Sequence, residues 1–307
     1  MFRCFRHGQE VIMNVVPSHS RRDIYREITQ SIIRAIEQGA GEFVMPWNND
    51  GTVRRPQNAC TGSLYRGMNV LALWVTATSR QYTTGFWASY RQWQELDAQV
   101  RRSERGAPIV FYQKLDRGED EHDEEHSPQM VLRTSFVFNG DQVDGWKAPH
   151  AADVDMVDRV AAADTLVAAT GAVIRHDAAG ACYLPVLDCI DMPKKSRFLR
   201  RSSSSATEAY YSTLFHELTH WTGHEKRLNR DLRGRFGSRA YAAEELVAEL
   251  GAAFLCADTG IANSPRQDHA AYVADWLALF SDDPRALMTA SAKASAAVEF
   301  IAAFRTA

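Results

Sequence analysis

The stretch His216-Glu217-Leu218-Thr219-His220 decides how the back of this 307-residue chain is read. It lies in an apolar-periodic run over 207–223 that predicts one long helix, with Ser202–Ser205 ahead of it as capping residues and Gly223 as its stop. On that helix Tyr211, Leu214, Phe215, Leu218 and Trp221 form a core-facing stripe, while the two histidines sit one turn apart on another face. Imidazoles at i and i+4 aim at one point, which is what a tetrahedral metal ion requires: Zn2+ by default, with another divalent transition metal such as Mn2+ as the variant. Glu217, beside the first histidine, is then placed to take a proton from water on that ion, whose pKa falls to roughly 7.

A catalytic site of this kind needs a third protein ligand and one open position. His224 continues the i+4 row, but Gly223 is expected to end the helix before it. Lys226 stands where the HExxHxxGxxH pattern has its third histidine, and a protonated lysine cannot ligate. The remaining candidates, Glu244, Glu245 and Glu249, lie on the next predicted helix, 242–257. Glu245 is taken as the ligand and Glu249, one turn on, as the group that orients a histidine through its free N–H, although sequence alone leaves those two roles interchangeable.

Outward from this segment, composition is that of a globular protein, 45% hydrophobic and 24% charged. The length suggests two domains of α+β class, drawn at 1–145 and 146–307 because the stretch 141–155 shifts to Gly, Pro, Asp and Ala. Helices are expected at 22–38, 68–78, 87–100, 154–170, 267–280 and 285–304, and strands at 108–112, 131–138, 172–176 and 182–192. The acidic run 116–126 is read as a solvated loop between paired strands. Five cysteines without a CxxC spacing give no disulfide framework, which points to a reducing cytoplasm. The apolar stretch Val11–Val16 is too short for a signal peptide, and nothing approaches the roughly 20 apolar residues of a bilayer span, so no membrane partner is expected.

Charge is unevenly placed. Residues 1–115 hold 15 Lys/Arg against 9 Asp/Glu, whereas the remainder holds 20 against 29. Single-strand binders need cations for phosphates and aromatic faces for bases. Residues 54–105 carry Arg54, Arg55, Arg66, Arg80, Arg91, Arg101, Arg102 and Arg105 interleaved with Tyr65, Tyr82, Phe86, Trp87 and Tyr90, while Asn58 and Asn69 are hydrogen-bonding candidates. Trp74 and Trp93 read as core. The basic segment Lys194–Arg201 is either an extension of that groove or solvated surface.

The run from His216 to His224, followed by Arg227-Leu228 and by Tyr241–Gly251, resembles the C-terminal zincin-like metallopeptidase domain of plasmid antirestriction proteins of the ArdC type. Pro56–Asn58, Tyr65–Asn69, Trp87, the 93–100 segment, Pro108–Phe111 and Phe138-Asn139 resemble the single-stranded-DNA-binding domain at the front of the same family, found also in certain plasmid primases. The resemblance covers nearly all of 20–305 and implies protection of incoming plasmid DNA during conjugation, with single-stranded DNA as partner; a host protein met on the DNA is the candidate substrate. Two rivals stay open on sequence grounds: a non-catalytic protein that coats single strands with a structural metal, and a metal-dependent nuclease, which lacks the paired ions many nucleases use.

Overall fold

Ile28, Ile32 and Ile36 recur at every fourth position of the first helix, and all three are fully buried. That helix, α1 (Arg21–Ala40), opens the computed structural model, which describes residues 21–40, 54–114, 130–149, 155–200, 205–234, 238–263, 269–283 and 285–305. The acidic run 116–126 and Arg201–Ser204 lie outside the described residues.

The front half follows as β1 (Gln57–Asn58), α2 (Met68–Arg80), β2 (Phe86–Ala88), α3 (Tyr90–Glu95), β3 (Gln99–Val100), β4 (Ala107–Lys114), β5 (Met130–Asn139) and β6 (Val143–Asp144). Four of its strands form a sheet in the order β1-β2-β5-β4, and β3 pairs with β6. The long hairpin β4–β5 is antiparallel, with Ala107 opposite Val137 at one end and Lys114 opposite Met130 at the other. The expected helix over 87–100 is corrected: only Tyr90–Glu95 is helical. Ser89 and Gln92 form a capping box that starts the helix at Tyr90, and Asp97, with φ of 56°, ends it. Trp87 consequently lies in a strand, paired with Asn139.

The back half begins with α4 (Met156–Ala169), capped by the Asp155 side chain. A small sheet follows, ordered β7-β9-β8, from β7 (Val173–Arg175), β8 (Cys182–Leu184) and β9 (Cys189–Asp191). Four helices complete the chain: α5 (Ala206–Thr222), α6 (Arg239–Thr259), α7 (His269–Asp282) and α8 (Ala286–Ala303). Contrary to the sequence expectation, α8 is long and apolar enough to cross a bilayer by length and composition; its Leu287, Ala290, Ala294, Val298 and Ile301 are instead buried in the protein core.

One apolar cluster runs through both halves. Ile28, Ile32 and Ile36 of α1 and Val70, Leu71 and Trp74 of α2 join Phe254 of α6, Trp276 of α7 and Leu287 of α8. Polar contacts reinforce the junction: Ser295 Oγ accepts from Gly67 N–H at 2.8 Å, and Arg55 pairs with Asp258 at 2.9 Å.

Candidate functional site

Helix α5 carries the histidines, and its ends are set locally. Ser205 Oγ accepts from Glu208 N–H while the Glu208 carboxylate accepts from Ser205 N–H at 2.8 Å, and at the far end Gly223 N–H closes on His220 C=O. Helix α6 lies directly against it, because Gly251 has no side chain at the crossing: a Cβ there would stand 2.5 Å from both Oγ1 and Cγ2 of the buried Thr219. That close approach brings the carboxylates of α6 over the imidazoles of α5.

His216, His220 and Glu245 each offer a ligand atom, and these atoms lie within 4.8 Å of one another. His216 Nε2 is 3.2 Å from His220 Nε2, and the two nitrogens are 3.4 and 3.5 Å from the Glu245 carboxylate oxygens. The opposite ring nitrogens face other carboxylates. Glu244 Oε1 stands 3.2 Å from His220 Nδ1, and Glu249 Oε2 stands 3.6 Å from His216 Nδ1, an ion-pair rather than a hydrogen-bond distance. Carboxylates at the Nδ1 positions favour the N–H tautomer there and turn both Nε2 lone pairs toward Glu245. Three electron-pair donors thus converge in a buried place, the arrangement a divalent cation satisfies.

The same carboxylates leave the site rich in negative charge, a surplus that a proton or a metal ion can meet. Burial works against a charged His220, yet Glu244 and Glu245 overcome it and push its pKa up to about 10. Burial likewise opposes a charged Glu245, and the two imidazoles still hold it well below the carboxylate range. Four glutamates, 217, 244, 245 and 249, surround two imidazoles, and of these Glu244 is also bound by Arg230 at 2.9 Å. The balance calls for added positive charge.

Glu217 is nearly buried, and its Oε2 accepts from Tyr183 N–H at 2.9 Å. Tyr183 sits on β8, an edge strand of the small sheet, and its hydroxyl donates to Asp188 Oδ1 at 2.8 Å. Arg227 in turn donates to Asp188 Oδ2 at 3.0 Å and to Trp221 C=O at 2.6 Å, which ties the strand to the end of α5. His224 lies past the helix stop, with its Nδ1 accepting from Lys226 N–H.

Sequence reasoning weighed Glu244 only as a ligand and missed Arg230 altogether. Arg230 donates to Thr219 C=O and Thr222 Oγ1 of α5 as well as to Glu244 of α6, so it locks the two helices together. Glu244 had a signal, being next to the ligand carboxylate; Arg230 had none, because its partners are fixed only by folding.

The nucleic-acid candidates are placed less uniformly. Trp87 is 1% exposed and packs with Leu73 and Val137, leaving no face for a base. Arg55 is buried against Asp258. Asn58 Oδ1 accepts from Cys60 and Thr61 N–H, and Asn69 exchanges two hydrogen bonds with the backbone of Val110, so both side chains hold the fold. Tyr65 is half-buried, and Tyr82 packs edge-on to Trp87. Arg66 pairs with Glu299, and the Arg54 guanidinium lies against Gly260, so both reach the back half. Arg91 pairs with Glu95, Arg101 with Glu104 and Asp144, and Arg102 is exposed.

An HExxH helix crossed by a glutamate-bearing second helix defines a zincin-like metal domain, and residues 161–293 match the family described as zincin-like metallopeptidase. Residues 22–143 match the N-terminal domain of anti-restriction factor ArdC. The crystal structure of antirestriction ArdC from the R388 plasmid, metal-free, superposes with a TM-score of 0.76 at 37% identity, over 92% of this chain and 98% of that one. Its Mn(II)-bound form gives 0.74 at 35%, over 91% and 97%. The protein y4eC of Sinorhizobium fredii (strain NBRC 101917 / NGR234) is 42% identical over 279 residues, 89% of each chain. Two DNA primases TraC of Escherichia coli are 32% identical over 92% of this chain, which spans only 20% and 27% of their length. The chain belongs to the ArdC family of antirestriction proteins, with an ArdC N-terminal domain ahead of the zincin-like domain.

Proposed function

We propose that this family member protects incoming plasmid DNA during conjugation, in the cytoplasm, by binding it as a single strand and hydrolysing a host protein met there. The observation that carries the catalytic half is the convergence of His216, His220 and Glu245 beside an anchored Glu217. Two imidazoles and a carboxylate suit Zn2+, and the R388 relative has an Mn(II)-bound structure, so both ions are candidates. When bound, such an ion supplies Lewis acidity, polarising a peptide carbonyl and easing the loss of a proton from water. Glu217 receives that proton on its carboxylate and passes it to the departing amine. Tyr183 N–H holds the carboxylate in place meanwhile, and Glu244 and Glu249 keep the imidazole rings aimed.

The binding half rests on the positive balance of residues 1–115 and on the match to the ArdC N-terminal domain. Replacing Glu217 tests the catalytic half. Glu217→Gln is expected to keep stoichiometric metal by elemental analysis and to lose at least about a hundredfold in peptide hydrolysis, with plasmid protection falling in a restricting host. Full protection by a metal-loaded Glu217→Gln protein, with no host protein cleaved, would leave strand coating as the function.

A further inference from the structure

Among the described residues three Phe, Tyr or Trp rings are exposed, Tyr90, Phe111 and Phe136, and all three lie in the front half. Phe136 is 53% exposed on a strand of the four-stranded sheet. Phe136 and Phe138, two apart on β5, share a face. Gly106 lies close to both, since a Cβ there would be 3.0 Å from Phe136 Cβ and 3.3 Å from Phe138 Cζ. Tyr90 stands edge-on to Phe138, ring centres 6.4 Å apart, and Gln99 Nε2 donates to its hydroxyl at 3.0 Å, which fixes the ring. Tyr90 and Phe138 line a cleft of about 560 Å³ rimmed by Arg101 and Arg102, and Phe136 continues the row from Phe138 along the same face of β5.

Charge selects the kind of partner. The described residues 54–149 carry eleven Lys/Arg against five Asp/Glu. Glu104, Asp144 and the Asp141 carbonyl hold Arg101, so Arg102 is the rim cation available to a phosphate.

We infer that unpaired bases of single-stranded DNA stack on the row Tyr90–Phe138–Phe136, with Arg102 taking a backbone phosphate. This rests on the single-strand reading above and places it on residues other than the buried Trp87 and the structural asparagines. Stacking of this kind tolerates any base and excludes duplex, whose bases are already stacked.

The test is fluorescence anisotropy of the full-length protein with a labelled oligothymidylate and with a duplex of equal length. Tyr90→Ala and Phe136→Ala are each expected to weaken single-strand binding about tenfold, Tyr90→Phe, which keeps the ring but loses the hydroxyl that Gln99 holds, to weaken it less than Tyr90→Ala, and Arg102→Ala to lower the salt slope by about 0.7. Circular dichroism melts check that the variants fold, and the conservative Tyr90→Phe keeps the result readable if Tyr90→Ala does not. Wild-type binding with both alanine variants as tight as wild type, or equal affinity for duplex, would overturn the placement. No binding by the wild type at all would remove the single-strand reading itself, a separate result.

Discussion

At the metal centre His216, Glu217, Glu245 and Glu249 are each less than a tenth exposed, whereas in the front half Tyr90, at the start of α3, and Phe136, on β5, stand about half in solvent. The difference fits what each region is proposed to hold. A point charge needs donors fixed to within fractions of an ångström, and two packed helices with capped ends supply that rigidity. A single strand is long and pliable, so its surface needs only exposed ring faces and cations spread along a rigid sheet. Polar side chains near that sheet are then released for scaffolding, as Asn58, Asn69 and Arg55 are.

The largest expected effect separates the two regions outright. His216→Ala should abolish stoichiometric metal by elemental analysis while oligonucleotide affinity stays within about twofold, since distant sites act additively; a parallel loss of DNA affinity would merge the two. Arg55→Ala should cost about 1–3 kcal/mol of stability in a denaturant titration, because it leaves the partly exposed Asp258 without its cation, with strand affinity preserved in the folded fraction. Glu244→Gln leaves the three ligands intact and should still weaken metal binding about 10- to 100-fold by competition titration, as the His220 ring loses its charged partner. Gly251→Ala should cost about 1–3 kcal/mol in a thermal melt by forcing α5 from α6 at Thr219.

Asp188 gives the smallest effect and a pH signature. Its hydrogen bond from Arg227, reinforced by Tyr183, outweighs burial and holds its pKa down to about 2, against 3.8 ordinarily. A depressed carboxylate stabilises the fold fully above the ordinary value and loses that contribution as pH falls toward about 2. Because the pair is partly in solvent, Asp188→Asn should cost under about 1 kcal/mol, and its melting temperature should converge on wild type between pH 4 and 2.

Most helix spans and the histidine pair were legible because they depend on local periodicity, whereas choosing Glu245 over Glu249 waits on how α6 crosses α5. Spacing i, i+4 puts His216 and His220 together wherever the helix lies, and a capping box at Ser205 and Glu208 announces its start. The 87–100 segment misled because its apolar residues fit a helical stripe, while the decisive Ser89–Gln92 cap interrupts it. Trp87 and Phe136 were not separable by type: one is core and the other exposed through strand pairing across about fifty residues, which composition does not encode. Arg230 and Tyr183 act through contacts that exist only after α5, α6 and β8 meet.

The apolar cluster shared by α1, α2 and the back helices couples the described parts of the two halves through one core. An ion that favours the native state at the zincin-like end must then lower the opening frequency of α1 and α2 at the other, with no ligand touching them. Amide hydrogen exchange in Leu71 and Leu73 would slow on metal loading, so a cation held at one end of the molecule would steady α2 at the other while leaving the surface itself unchanged.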